Sequence, residues 1–176
     1  NFYMIFFLPA AGSVVAYLYL KIGKNSLKGN NLILEEIQNK NEKIPFRMGI
    51  LVLFSTIVSH LFGASVGREG TAVQMGGALS EQIGKLLKVN EEERKIILMS
   101  GISGGFGSVF GTPLAGTLFG MEVSETGNIK YEAVIPCFMS SFIGDIVTRI
   151  LLIKHDIYKI EVIPNESIWL FIKVIA

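Results

Sequence analysis

The chain has 176 residues, half of them hydrophobic, with a mean hydropathy of +0.49. Charged residues make up 18%, against about 25% in soluble domains, and the net charge is only +1. These values point to a membrane protein and imply neither a nucleic acid nor another polyanion as partner. Cys137 is the only cysteine, so an internal disulfide is excluded. His60 and His155 stand too far apart for a metal motif, and neither HExxH nor CxxC occurs, so no metal or cofactor is expected.

Residues 2–20 are almost free of charge. At ~1.5 Å rise per residue they reach nearly across the ~30 Å hydrocarbon core of a bilayer. They do not read as a signal peptide, because no basic residue precedes them and the apolar run exceeds the roughly 7–15 residues of an h-region. The chain opens in this segment and closes in another, IWLFIKVIA, which suggests a piece of a longer multi-pass protein of the cell membrane. Residues 21–47 are polar, with six basic and three acidic residues, which favours the cytoplasmic side. Within them LILEEI follows the turn signal GNN.

Residues 46–62 read as a second membrane segment, whereas residues 70–87 are short and only half apolar. VNEEERK reads as a charged connector. Residues 96–121 are apolar, dense in glycine and interrupted by Pro113. Residues 131–153 form a third long segment, in which Asp145 and Arg149 are one helical turn apart and predict an ion pair. A polar linker, residues 154–166, precedes a further span. Glu122 and Glu125 read as interfacial, Tyr158 and Trp169 as aromatic-belt residues, and Cys137 as a small packed apolar group.

Several of these segments are too short or too glycine-rich for simple spans. Interrupted segments of this kind mark transporters, in which half-helices end around a mid-membrane site. A soluble all-α core is the alternative, and the lengths of residues 2–20 and 131–153 argue against it. Gly63 and Gly67, Gly101 and Gly105, Gly107 and Gly111, and Gly116 and Gly120 are each four apart, a spacing that lets helix backbones approach closely.

The stretch GASVGREGTAVQMGG, residues 63–77, places Arg68 and Glu69 side by side among glycines. A helix starting at Glu69 would direct its free N–H groups and positive dipole end toward the preceding loop, where an anion is held without a full positive charge. Glu69 is itself an anion at that place, so a mobile anion could replace it when it takes up a proton. Residue chemistry leaves two readings open: a proton-carrying gate, or an Arg68–Glu69 pair that only stabilises a loop. Thr112-Pro113 and Gly29-Asn30-Asn31 are two further helix starts that could converge on the same anion; each also reads as an ordinary turn. The nucleotide-binding patterns GxxxxGK[ST] and GxGxxG are not met.

GREGTAVQMGG, followed about 30 residues later by GGFGSVFGTPLAGTLFGMEV, resembles the CLC family of chloride channels and anion/proton antiporters, and the similarity extends over residues 29–153. The resemblance implies an all-α membrane protein of the CLC inverted-repeat type, with residues 1–155 as most of the first repeat of short and broken helices. A linker and the start of a second repeat would follow. It implies a transporter rather than an enzyme, and a homodimer in contact through residues 113–121 and 131–153. Glu69 matches the gating glutamate that blocks the anion path and carries the proton, with Gly67, Arg68 and Gly70 completing that motif. GNNLI, residues 29–33, occupies the place of the family's GSGIP loop, so that Gly29, Asn30 and Asn31 are anion-binding residues and Asn30 takes the serine position.

Two departures matter. The serine and proline of that loop are lost, and Val123 stands where chloride/proton exchangers carry an inner glutamate. Both departures resemble the CLC-F subgroup, the fluoride/proton antiporters. The expected partners are a small inorganic anion, fluoride or chloride, together with protons and the lipid bilayer. A chloride channel, a chloride/proton exchanger and a non-transporting structural fragment are the alternatives. The anion site is expected to be half built without the second repeat, so the chain by itself is not expected to transport.

Overall fold

The computed structural model describes residues 2–38, 43–123 and 130–155, and among them every regular element is a helix. A 3-10 stretch, Phe2–Phe7, leads into α1, Leu8–Leu18. Pro9 sits in the first turn of α1, where its missing N–H breaks no bond. The chain stays helical through a π turn, Tyr19–Gly23, and a 3-10 turn, Lys24–Lys28. The helical run thus extends beyond residue 20, where the hydropathy pattern ends it. It turns at Gly29, whose φ of 57° suits glycine. Then α2, Asn30–Ile37, begins.

Pro45 stands immediately before α3, Phe46–Leu61, and Gly63 turns the chain after it with a φ of 83°. The next helix, α4, spans Glu69–Leu87 and closes on Lys88 in the left-handed conformation. Residues 91–95, which read as a connector, are the first turns of α5, Glu91–Phe110. Asn90 caps this helix: its side chain accepts from the Glu93 N–H at 2.9 Å, and the Glu93 carboxylate accepts from the Asn90 N–H at 3.0 Å. That capping box, with three glutamates on the positive dipole end, gives the acidic run its place. Helix α6, Pro113–Glu122, follows Gly111, and a 3-10 turn, Tyr131–Ala133, leads into α7, Val134–Ile150.

Helix α5 lies against α4, α6 and α7, and at each contact backbone meets backbone or a small hydroxyl side chain. A Cβ on Gly76 of α4 would overlap the Gly101 carbonyl, and one on Gly105 would stand 2.6 Å from the Ala72 oxygen. On the α6 side, a Cβ on Gly120 would stand 2.8 Å from the Met99 oxygen. Serines bridge the remaining approaches. Ser103 donates to the Cys137 carbonyl at 2.8 Å, and Ser141 donates to the Pro113 carbonyl at 2.8 Å. Close approach of small residues substitutes for large apolar burial where helices associate in lipid.

Two of the four glycine pairs, Gly101 with Gly105 and Gly116 with Gly120, pack as their spacing predicts. Gly107 also packs, but Gly111 is a left-handed helix cap, and Gly63 and Gly67 lie in the turn before α4, with open space at Gly67. A buried cluster completes the interior: Leu32 and Ile33 of α2, Met48 of α3, Val73 of α4, Leu98 and Ile102 of α5, and Cys137 of α7. Asp145 and Arg149 pair at 2.9 Å, as their spacing predicts. Glu125, Tyr158, Trp169, most of the polar linker and the last apolar run lie outside the described residues.

The α4–α5 contact has a direct test in the full-length protein in detergent. Gly76→Ala is expected to cost about 1–3 kcal/mol, because no flexible side chain can yield to the new methyl. Gly12→Ala, with nothing within 4 Å, is expected to leave the unfolding temperature unchanged or higher. Equal behaviour of the two variants in thermal unfolding would mean that the glycine contact is not what holds α4 on α5.

Candidate anion site at two helix starts

Gly29 ends the helical run before α2 and leaves the first N–H groups of that helix exposed to the loop. The first bond inside α2 is donated by Leu32 N to Gly29 O at 3.2 Å, so the N–H groups of Asn30 and Asn31 have no partner within the helix. In α4 the first donor is Ala72 N, which reaches Arg68 O at 2.9 Å. The N–H groups of Glu69, Gly70 and Thr71 are therefore unclaimed by α4, and the Arg68 side chain does not cap them.

The two helix starts meet at Asn30 and Gly70. A Cβ on Gly70 would lie 3.4 Å from Asn30 Nδ2, so glycine here brings the amide close to the backbone of α4. Gln74, one turn further along α4, donates from Nε2 to Asn30 Oδ1 at 3.0 Å. With Asn30 Oδ1 accepting from Gln74, the Nδ2 hydrogens are left for another acceptor. Gln74 was not singled out from the sequence. Its signal is an amide at i+4 from Gly70, on the same face of the helix.

Asn30 also lines a cavity of about 330 Å³ together with Leu34, Val73, Phe119, Glu122 and Val123. The cavity touches α6 at its C-terminal turns. Thr112 and Pro113, at the other end of α6, lie about 10 Å or more away along the helix axis. Of the three predicted helix starts, the structure brings two together and leaves the third apart. Glu122, read as interfacial, is exposed and faces the Asn30 cavity.

Glu69 is exposed at the first position of α4. Among the described residues neither it nor Arg68 has an ion-pair partner, so the loop-stabilising pair is not formed. Arg68 lines a separate cavity of about 660 Å³ between α3 and α4, with Thr56, His60 and Thr71. There Thr56 and Thr71 share a hydrogen bond of 2.8 Å between their hydroxyls. Gly67 has open space around it, and Asn31 is exposed on α2. The contacts thus gather Gly29, Asn30 and Gly70 with Gln74, with Glu69 at the adjoining position.

Residues 11–176 match the family model described as voltage gated chloride channel. The chain belongs to the voltage gated chloride channel family. It is 49% identical over 175 residues to a chloride/fluoride channel protein of Pseudomonas syringae pv. tomato, covering 99% of this chain and 38% of that protein. It is 44% identical over 92 residues to an H(+)/Cl(-) exchange transporter of Vibrio cholerae, covering 51% of this chain and 19% of that one. The crystal structure of a CLC-type fluoride/proton antiporter superposes with a TM-score of 0.87 at 31% identity, covering 97% of this chain and 43% of that chain. The chain therefore has a part of the CLC fold and spans about two fifths of the length of the Pseudomonas protein and of the solved antiporter. Two helical stretches, Tyr3–Ile37 and Tyr131–Ile150, are long and apolar enough to cross a membrane. The family is one of channels and transporters, not of enzymes.

The Gln74–Asn30 hydrogen bond gives a test at the site. In the full-length protein, Gln74→Met keeps the bulk and removes the donor, freeing the Asn30 amide to rotate. Anion affinity, measured by titration calorimetry, is expected to fall about tenfold, the equivalent of about 1.4 kcal/mol for a lost orienting hydrogen bond. An unchanged isotherm would show that amide orientation does not matter to the anion.

Proposed function

We propose that the chain supplies the first-repeat half of a membrane anion/proton antiporter that exports fluoride, with Glu69 as gate and proton carrier. The observation that carries this reading is the meeting of two helix starts at Asn30 and Gly70, with a carboxylate at the first position of α4. Unclaimed N–H groups and two positive dipole ends favour an anion there. Glu69 as carboxylate competes for that place; on taking up a proton it becomes neutral, and the mobile anion enters. Antiport follows when the proton reaches Glu69 from the membrane side opposite the anion, so that proton uptake and anion entry run in opposite directions.

Fluoride is favoured by the donors present. The Asn30 amide and the free N–H groups are hard hydrogen-bond donors suited to a small, strongly hydrated anion. The similarity to proteins named for fluoride supports the same choice. Residues 1–155 would form most of the first inverted repeat, with a linker and the start of the second beyond. Homodimer contact through α6 and α7 fits the exposed Leu114, Leu118, Ile135, Ile143 and Ile146 on those helices. The protein would then be a multi-pass protein of the cell membrane.

A passive anion channel is the second reading. Val123, an apolar group in the Asn30 cavity at the place of the exchangers' inner glutamate, fits this reading as well as the first and does not decide between them. The two readings separate in liposomes holding the full-length protein. A fluoride gradient is expected to drive protons the opposite way, with little response to chloride. Glu69→Gln should abolish that coupling. Chloride flux without a change of internal pH would instead establish the channel. Asn30→Ser is expected to lower the fluoride/chloride preference about tenfold; an unaltered ratio would remove Asn30 from the ligand set.

A further inference from the structure

At the opposite ends of α2 and α4 from the anion site, two buried carboxylates share one guanidinium. Arg94 Nη2 lies 2.7 Å from Glu36 Oε2 and 2.7 Å from Glu81 Oε2. The Glu36 and Glu81 side chains are 0% and 1% exposed, and that of Arg94 is 15% exposed. The three groups join α2, α4 and α5. Counting them as ionised, their net charge is −1, and the exposed Lys85 and Glu91 beside them add one charge of each sign.

The two carboxylates are not equivalent. Glu81 has a partner on each oxygen: Arg94 donates from Nε to Oε2 at 2.8 Å, and Lys85 Nζ lies 3.2 Å from Oε1. Glu36 meets Arg94 through Oε2 alone, as an ion pair; among the described residues neither of its buried oxygens has a hydrogen-bond partner, and Oε1 has no ion-pair contact either. Buried polar atoms are rarely left in that state, so an orphaned oxygen calls for a proton, an ion or water.

Glu36 lines a cavity of about 390 Å³, with room for several waters, and it does so with Lys43, Glu81, Lys85, Lys88, Glu91 and Arg94. These are the charged groups facing Glu36 from α2, α4, α5 and the segment before α3. The three lysines and Glu91 are exposed at the rim, where solvent screens them. Their ammonium groups also repel a metal cation from the orphaned oxygen, whereas a proton can arrive through water.

We propose that Glu36 is a second proton-binding carboxylate, which takes its proton at Oε1 from water in this cavity and serves the proton leg of transport. The step balances: a water-borne proton bonds to Oε1, the cluster goes from −1 to neutral, and Oε2 stays on Arg94. Release reverses it. The placement suits the task. Glu36 lies about 9 Å along α2 from Asn30, and Leu34 of the same helix lines the Asn30 cavity. Glu81 lies about 18 Å along α4 from Glu69, so the cluster that holds Glu36 is joined to α4 well away from its start at Glu69. The transport role rests on the antiport reading, whereas proton binding at Glu36 does not.

The test uses the full-length protein with Glu36→Gln, reconstituted in liposomes under an outward fluoride gradient. Proton movement is expected to fall about a hundredfold while fluoride flux stays within about twofold of wild type. Wild-type coupling in Glu36→Gln would overturn the transport role. A merely structural ion cluster predicts that both fluxes fall together, and that result would overturn it too. Infrared difference spectra on acidification give an independent reading. They should show a protonated carboxyl band in the wild type that shifts in Glu36→Asp and is missing in Glu36→Gln. Absence of such a band from the wild type would overturn proton binding itself. If the wild type moves no protons at all, the antiport reading fails, while the infrared band still decides whether Glu36 binds a proton.

Discussion

Everything in this molecule depends on how closely α5 is approached by its neighbours. Gly76 and Gly105 bring α4 against α5, Gly116 and Gly120 bring α6, and Ser103 and Ser141 fasten α7 with hydroxyl donors to backbone carbonyls. An apolar residue gains little by leaving lipid for another apolar surface, so dispersion contacts and short hydrogen bonds supply the association. The consequence for function is positional. The far end of α6, with Phe119, Glu122 and Val123, reaches the Asn30 cavity because the glycine face of α6 lies flat on α5.

Helix α4 carries two unlike ends. Its start is open, with free N–H groups, no side-chain cap and an exposed glutamate. Its far end is tied to α5 and α2 by Glu81 and Arg94, and a lysine in the left-handed conformation closes it. A helix that is to hold an anion at its N-terminus has to leave that N-terminus without its usual cap. The stability lost there is about 1 kcal/mol for a missing cap, and the close glycine packing of α4 on α5 offsets it.

Much of this was legible in the sequence, and the reasons differ from residue to residue. The start of α4 at Glu69 and of α6 at Pro113 followed from local chemistry, since proline and the glycine-flanked carboxylate act within one turn. The Asp145–Arg149 pair was legible because i,i+4 spacing alone brings the groups together. The acidic run before residue 96 was read as a connector, although its N-x-x-E pattern is the local signature of a capping box. The hydropathy pattern ends the first helical run at residue 20, whereas the chain stays in helical turns past Lys24, which has a φ of 45°, and turns at Gly29.

What the sequence could not show is which distant elements meet. Gln74 reaches Asn30 across 44 positions of chain, and Arg94 joins carboxylates from two other helices. No periodicity encodes such contacts. The same limit explains the third helix start. Thr112-Pro113 carries local signals as good as those of Gly29-Asn30-Asn31, yet α6 runs so that its other end meets the site. Local signals place a helix end in the sequence; only packing decides which ends share a space. Here the glycine face of α6 decides it, because reversing the direction of α6 would put Gly116 and Gly120 out of register with Gly107, Ser103 and Met99. The residues that meet at the candidate anion site are thus chosen in part by contacts that lie outside it.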